Sequence, residues 1–216
     1  MRRTLFIHVP RTAGTSMNAH AMKHAVSYQD LSYSLRPKCD PSKAWTTTQH
    51  ISIGSLIERN VFDEAWYRDC YRFAFVRNPW DRMVSLYERL RGYRLTQTRQ
   101  RLSNLYLRNF EAFVEGLTRC DFVRPLGRLN GEDWSQANPQ MEWLRWGVDF
   151  VGQYEKLHED WKHVCETIEM PCHRLALEKP SNRKRDYRVY YNKRTRQLIC
   201  NLYAEEIEQF GYDFED

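Results

Sequence analysis

The chain has 216 residues and a formal net charge of +5, with 42% hydrophobic and 14% aromatic residues. This length and apolar content exclude a disordered or fibrous chain and suit a single core, so we expect residues 1–216 to form one domain. The positive charge favours an anionic ligand, but it is modest beside that of a dedicated nucleic-acid binder, and we expect no nucleic-acid partner.

The first predicted junction joins a strand to a helix through a loop of small residues. The run from Thr4 to Val9 is apolar and β-prone, Pro10 ends it, and a helix-compatible segment follows from Ser16 to Ala25. Amide groups at a helix start lack intrahelical acceptors and lie at the positive end of the dipole, so such a loop binds phosphate or sulfate. The residues expected to form this anion site are Arg11, Thr12, Ala13, Gly14, Thr15 and Ser16.

This loop differs from the Walker A motif, which requires a lysine directly before its final hydroxyl residue. Here Gly14 is the only glycine of the loop, and the basic residue, Arg11, precedes it. The difference weakens the case for ATP or GTP hydrolysis. A tight strand-to-helix turn without a ligand is the alternative at this point.

A second strand-to-helix junction follows at Tyr71 to Tyr87. The segment from Tyr71 to Val76 is strand-like, and Pro79 suits the first turn of the next helix. Arg77 stands at the carboxyl end of its strand, where open parallel sheets bind ligands, and Ser85 lies close to the helix start. An arginine and a serine hydroxyl together suit a terminal phosphate.

The remaining pattern alternates strands with helices and predicts an α/β fold with a three-layer, mainly parallel sheet and a P-loop-like strand-loop-helix unit. Further strands are predicted at Thr46 to Ile51, Asp149 to Tyr154 and His173 to Leu177. Helices are predicted at Ser52 to Glu58, Asp63 to Asp69, Pro79 to Arg91, Leu105 to Leu117, Glu155 to Ile168 and Lys193 to Gln209.

Both junctions resemble those of the sulfotransferases that use 3′-phosphoadenosine 5′-phosphosulfate (PAPS), in particular the heparan and chondroitin type carbohydrate branch. The first loop of that family usually reads P-K-T-A-G-T-S, which Pro10 to Ser16 repeats with Arg11 in place of lysine. The family's second motif, R-N-P-x-x-R-x-x-S-x-Y, is complete from Arg77 to Tyr87. The segment from Phe150 to Trp161 and the tail from Tyr190 to Phe214 are also similar.

The resemblance implies that PAPS is the cofactor, that 3′,5′-adenosine diphosphate is its product, and that a hydroxyl-bearing acceptor, most plausibly a saccharide, receives the sulfo group. The first loop would hold the 5′-phosphosulfate, and Arg11 would stabilise the charge that develops on the leaving phosphate. Arg77 and Ser85 would hold the 3′-phosphate. Arginine in place of lysine retains the positive charge, but the charge is carried by a planar guanidinium group instead of a compact ammonium group.

His50 is the candidate general base for the acceptor hydroxyl, because an alcohol is a weak nucleophile until its proton is removed. Its position between the two junctions matches that of a histidine in the resembled branch. A hydrogen bond to a backbone carbonyl is the alternative role for His50. His8, just before the first loop, is interpreted as structural, and His20 and His24 as solvated surface residues rather than metal ligands.

Two basic segments have open assignments. The loop from Ser181 to Arg185 could close over the nucleotide, with Arg183 and Arg185 as cofactor contacts, or it could be a solvated surface run. The run from Arg89 to Arg108 could recognise an acidic glycan or nucleic acid, although a plain solvated helix and loop is favoured.

The sequence predicts neither a metal site nor a membrane segment. The six cysteines lack C-x-x-C spacing, and a zinc site from Cys165, Cys172 and His173 would match no common pattern. The first strand begins close to Met1, and no apolar run approaches the ~20 residues that cross a bilayer. We therefore expect a cytoplasmic protein, or a trimmed form of an anchored one.

The sequence thus predicts a PAPS-dependent sulfotransferase in which Arg11 and His50 are catalytic. Two alternatives remain open at this stage: a P-loop-type kinase of small molecules or nucleotides, and a catalytically inert binder of nucleotides or acidic polymers. The oligomeric state and the identity of the acceptor are not specified by any sequence pattern.

Overall fold

The computed structural model describes residues 3–24, 45–48, 50–94, 106–118, 136–176 and 186–216. Four strands are present in this part of the chain: β1 (Thr4–Ile7), β2 (Trp45–Thr47), β3 (Tyr71–Val76) and β4 (Phe150–Gln153). The helices are α1 (Gly14–His24), α2 (Ile53–Glu58), α3 (Glu64–Asp69), α4 (Pro79–Arg94), α5 (Phe110–Leu117), α6 (Met141–Leu144), α7 (Leu157–Thr167), α8 (Lys193–Leu202) and α9 (Ala204–Phe210). Short 3₁₀ turns lie at Tyr154–Lys156 and Tyr187–Tyr190.

The strands form one parallel sheet in the order β2-β1-β3-β4. In the central pair, Thr4 lies opposite Tyr71 and Ile7 lies opposite Ala74. Both β1 and β3 are therefore followed by loops at the same edge of the sheet, where parallel sheets place their ligand sites.

The chain divides into two compact units, each built from two separate stretches. The first unit comprises residues 1–76 and 140–179 and contains the whole sheet. The second comprises residues 77–139 and 180–216 and is helical in its described part. The single domain expected from the sequence stays a prediction, because a division by contacts does not test whether either unit folds alone.

The core of the first unit lies between the sheet and the helices α1 and α7. Phe6 and Phe73 stack with ring centroids 4.9 Å apart, and both are fully buried beside Met17 of α1 and Trp161 of α7. On the other face of the strands, Leu5, Ile7, Ala74 and Val76 are also fully buried. Because both faces of a parallel sheet are covered, the α/β three-layer prediction is confirmed.

The second unit is organised around a buried arginine. Arg82 of α4 donates to the carbonyl oxygens of Gln136 and Asn138, at 3.0 and 2.8 Å, and lies 3.9 Å from the Glu206 carboxylate. Neither Arg82 nor Glu206 is exposed to solvent. A buried pair needs further hydrogen bonds to offset its desolvation, and the two carbonyls supply them for both Nη atoms of Arg82.

The helix starts agree with local capping signals in the sequence. Ser52 and Asp63 cap α2 and α3, because their side chains accept hydrogen bonds from the amides of Ser55 and Trp66. Asn192 and Thr195 form a reciprocal capping box at the start of α8. These residues provide acceptors for amides that have no intrahelical partner.

Several predicted boundaries are wrong. The helix predicted at Lys193 to Gln209 is broken at Tyr203, whose hydroxyl donates to the Ala137 carbonyl at 2.6 Å. The helix predicted at Leu105 to Leu117 is interrupted at residues 107–109, between the helical residue Tyr106 and α5, which begins at Phe110 after the cap residue Asn109. Residues 173–176 form no strand, and Leu177 lies outside the described residues. The strand predicted at Thr46 to Ile51 is instead Trp45–Thr47, so His50 lies beyond it.

Candidate active site

The first junction has a strained backbone. Arg11 and Ala13 adopt positive φ angles of 70° and 68°, while Thr12 between them does not. Residues of alternating handedness turn successive amides to one side and form an anion-binding concavity. The hydroxyl of Thr12 donates to the Val9 carbonyl at 2.9 Å and braces the turn. The loop predicted from the sequence therefore has the geometry of an anion cradle.

The start of α1 adds the helix dipole to this cradle. The amides of Ser16 and Met17 both donate to the Ala13 carbonyl, at 2.9 and 3.3 Å. Gly14 and Thr15 precede them in the first turn, where amides lack an intrahelical acceptor. The first turn of α1 contains no acidic residue, so no carboxylate competes with an anionic ligand there.

Gly14 is required by the close approach of His8. A Cβ atom at position 14 would overlap the imidazole ring of His8. That ring is buried and lies between Phe6 and His50, at centroid distances of 5.1 and 4.2 Å. The ring therefore has little room to move, which agrees with the structural role expected for His8.

His50 lies against the end of β1. Its Nδ1 donates to the His8 carbonyl oxygen at 2.9 Å, and its own carbonyl accepts from Trp143 Nε1 at 3.0 Å. His50 has a positive φ of 78°, which turns the chain sharply after β2. Because a carbonyl can only accept, Nδ1 carries the hydrogen, and Nε2 is the basic nitrogen of the neutral ring.

Burial, opposed by the hydrogen bond to the His8 carbonyl and aided by the positive charge of Arg11, lowers the pKa of His50 to about 4. The ring is therefore neutral at pH 7. The two residues that the sequence predicted to be catalytic, Arg11 and His50, both lie at the carboxyl end of β1.

The second junction contains an ion pair that was not predicted from the sequence. Arg77 donates from Nε to the Asp81 carboxylate at 2.8 Å, and also from Nη2, and both residues are buried. Ser85, which is 4% exposed, follows one turn after Asp81 on α4. The four-residue spacing from Arg77 to Asp81 was a readable signal for an ion pair. Asp81 holds the Arg77 guanidinium in one orientation.

The tail of the chain packs around the start of α4. Asn78 accepts from the Trp80 amide at 3.1 Å, and its Nδ2 donates to the Asp213 carbonyl at 2.8 Å. Tyr187 donates to the Phe214 carbonyl at 2.7 Å. Burial, followed by the charge of Asp81, raises the pKa of Tyr187 to about 12. Sequence reasoning noted this tail only as a resemblance, and its contact residues had no local signal.

The pattern from Arg77 to Tyr87 therefore contains residues with different tasks. Arg82 is structural, since its guanidinium is fully buried on backbone carbonyls. Tyr87 packs against Phe110 and Phe113 of α5, at centroid distances of 5.4 and 5.5 Å. Arg77 and Ser85 remain the candidates for binding an anion.

Other predicted site residues lie outside the described part of the chain. These are Arg183 and Arg185, together with Arg99 and Arg101 of the basic run. Cys165 is buried and Cys172 exposed, and both are free thiols. Among the described residues, no group of three or more His, Cys, Asp or Glu side chains could hold a metal ion.

No helix within the described ranges has the length and apolarity that crossing a membrane requires. A comparison with curated proteins finds no match. A sequence model of the Sulfotransferase family matches residues 2–213, which span both junctions, His50 and the packed tail. With nearly its whole length matched and both anion-ready junctions in place, the chain belongs to the sulfotransferase family and transfers sulfo groups.

Proposed function

We propose that this protein transfers the sulfo group of PAPS to an acceptor hydroxyl on a saccharide, with His50 as the general base. The observation that carries the proposal is the hydrogen bond from His50 Nδ1 to the His8 carbonyl. It assigns the basic lone pair of the His50 ring to Nε2, and Arg11 lies in the loop that follows the same strand. A base and a cation are both needed for in-line transfer between oxygen atoms.

In the proposed reaction, the acceptor oxygen forms a bond to sulfur while the bond from sulfur to the bridging phosphate oxygen breaks. The hydroxyl proton moves to Nε2 of His50. Negative charge moves to the leaving phosphate, where the Arg11 guanidinium stabilises it more than it stabilises the ground state. The product is 3′,5′-adenosine diphosphate, and no metal ion is required for the balance of charge or atoms.

The proposed donor-binding residues are assigned separately to the two ends of the donor. The amides and hydroxyls of residues 11–16 would bind the 5′-phosphosulfate. Arg77 and Ser85 would bind the 3′-phosphate, and Arg183 and Arg185 would add contacts from the basic loop. The support for the second assignment is the buried, oriented guanidinium of Arg77.

The low pKa of His50 describes the protein without an anion in the cradle. An anionic donor would offset the charge of Arg11 and add negative charge near the ring, so it would raise the pKa of His50. His50 would therefore be a stronger base when the donor is bound. Titration of the His50 ring by NMR, with and without 3′,5′-adenosine diphosphate, measures this shift.

The decisive experiment incubates labelled PAPS with glycans, phenols and aliphatic alcohols as separate acceptors. We expect transfer to a saccharide, and loss of transfer in His50→Ala with 3′,5′-adenosine diphosphate binding retained. His158→Ala, which removes an exposed histidine from α7, is the matched control and keeps full activity. Metal-dependent preference for ATP, or unchanged transfer in His50→Ala, would contradict the proposal.

A further inference from the structure

A cavity of about 280 Å³ lies in the first unit, lined by α1 and by the segment after α7. Five of its lining residues carry basic nitrogen atoms: His20, Lys23, His24, His173 and Arg174. We call this set the histidine pocket. None of the described residues that line it is acidic. The proposed transfer reaction assigns no role to any of these five residues.

The three imidazole rings form a compact cluster. The centroid of His24 lies 4.5 Å from that of His20 and 4.7 Å from that of His173, and the centroids of His20 and His173 are 5.9 Å apart. His20 is held in place, because its Nε2 lies 2.8 Å from the Pro171 carbonyl and must carry the hydrogen there. The edge of the Trp161 ring contacts the other side of His20.

The charged groups that lower the pKa of His24 all have the same sign. Desolvation, followed by the charges of His20, His173 and Lys23, lowers the pKa of His24. Every charged group in that set is a cation. The groups that face the histidines are Lys23 and Ser16 from α1, Trp161 from α7, and the Pro171 carbonyl and Arg174 from the following segment. A bound anion would relieve the repulsion among them.

We propose that the histidine pocket is a binding site for a tetrahedral oxyanion, a sulfate or phosphate group either free or carried on an ester. The side chains of Lys23 and Arg174 attract the anion, and an imidazole that takes up a proton adds positive charge beside it. Binding is therefore tighter at low pH. The proposal goes beyond the proposed function and does not depend on it, since it rests on the charge and geometry of these five residues.

A transition metal is the competing ligand for a cluster of imidazoles, but three observations favour the anion. Nε2 of His20 is committed as a donor to the Pro171 carbonyl. Lys23 and Arg174 line the same cavity and would repel a cation. The described part of the chain contains no group of three or more potential ligand side chains arranged to hold a metal.

Isothermal titration calorimetry on the full chain tests the site, with inorganic sulfate, inorganic phosphate and methyl sulfate as probes at pH 6 and pH 8 and constant ionic strength. We expect about tenfold tighter binding at pH 6, which is the effect of one additional favourable charge interaction. Arg174→Ala and Lys23→Ala each weaken binding by about tenfold. Lys162→Ala, which removes an exposed lysine of α7, leaves it unchanged. Comparison of methyl sulfate with inorganic sulfate distinguishes an ester-borne group from a free ion.

Saturating 3′,5′-adenosine diphosphate separates this site from the donor site, because Ser16 lines the pocket and also belongs to the proposed donor loop. Sulfate binding that persists with the nucleotide present supports the proposal, whether or not the protein transfers sulfo groups. Displacement by the nucleotide overturns it. Binding seen only at molar sulfate, insensitivity to both substitutions, or zinc binding that Arg174→Ala strengthens would also overturn it.

Discussion

The two strand-to-helix junctions prepare for an anion in different ways. At the first, the backbone supplies the site: Arg11 and Ala13 have positive φ angles, Gly14 lies against the His8 ring, and α1 begins without an acidic residue. At the second, side chains supply it: Arg77 is oriented by Asp81, and α4 begins with that carboxylate in its first turn.

Under the proposed function, this difference would allow one kind of topology to support two kinds of anion recognition. Backbone amides are uncharged and need no counterion, so the first cradle is preorganised even when it is empty. A buried guanidinium requires a partner, so Arg77 is held by Asp81 in the absence of ligand. Substitutions should therefore affect catalysis at the first junction and nucleotide selection at the second.

Arg11→Ala should have the largest effect. We expect transfer to fall by about 10²–10³, because a preorganised donor to the developing charge is lost. Binding of 3′,5′-adenosine diphosphate should weaken much less, since the backbone cradle and Arg77 remain. Arg59→Ala, an exposed arginine of the same unit, serves as the control in both assays. Equal losses in binding and turnover would show that Arg11 acts mainly in holding the donor.

His50 lies at the first junction, and its lowered pKa should make folding stability depend on pH. Its pKa is about 4 in the folded protein, against 6.5 for an unperturbed histidine, so the unfolded chain takes up a proton first as the pH falls. Its contribution is complete above pH 6.5 and is lost between pH 6.5 and 4. The loss should reach at most about 3 kcal/mol. Urea unfolding of His50→Gln should lack this component, and an unchanged pH dependence would contradict the assignment.

Arg77→Ala should change selectivity more than turnover. Under the proposed function, affinity for 3′,5′-adenosine diphosphate falls by about 10–100-fold, because one charge-assisted contact contributes ~1.5–3 kcal/mol. Affinity for adenosine 5′-monophosphate, which lacks the 3′-phosphate, should change little. Arg91→Ala, an exposed position on the same helix, is the matched control. The same loss for both nucleotides would indicate general damage from the unpaired Asp81. Calorimetric titration measures the affinity of the parent protein and of both variants for each nucleotide.

A pair of glycine substitutions should give small effects of opposite sign. Gly14→Ala forces a Cβ into the buried His8 ring and should destabilise the protein by ~1–3 kcal/mol. Gly92→Ala, on α4 of the second unit, meets no atom within 4 Å and should stabilise by up to about 1 kcal/mol, since alanine is the better helix former. Thermal unfolding of both variants checks the signs. A neutral Gly14→Ala would mean that the His8 ring moves freely.

Much of the fold was predictable because its signals are local. The apolar runs of β1 and β3 predicted central buried strands, and both are found within two residues of the expected ends. The break at Tyr203 was not predictable, because the apolar spacing continues through it. It depends on the Ala137 carbonyl, 66 residues earlier in the chain, which accepts the tyrosine hydroxyl.

The candidate site also has parts that the sequence predicted and parts that it did not. The loop from Arg11 to Ser16 and the spacing from Arg77 to Ser85 were evident from residue type and order. The partner of Arg77 was missed, because the motif pointed to the guanidinium as a ligand contact and not as half of an ion pair. Trp143, which holds the His50 carbonyl, lies 93 residues away and has no signal that points to it.

By itself, the sequence determined the family, the parallel α/β sheet and the two loops that suit anions, because strand period, helix caps and small loop residues act over a few neighbouring positions. The tertiary structure alone decided that His50 is held by its Nδ1 in the neutral form, with Nε2 as the basic nitrogen. That outcome requires the His8 carbonyl, 42 residues away, which reaches the ring through the pairing of β2 with β1. A tautomer set by a distant carbonyl leaves no pattern in the neighbouring residues.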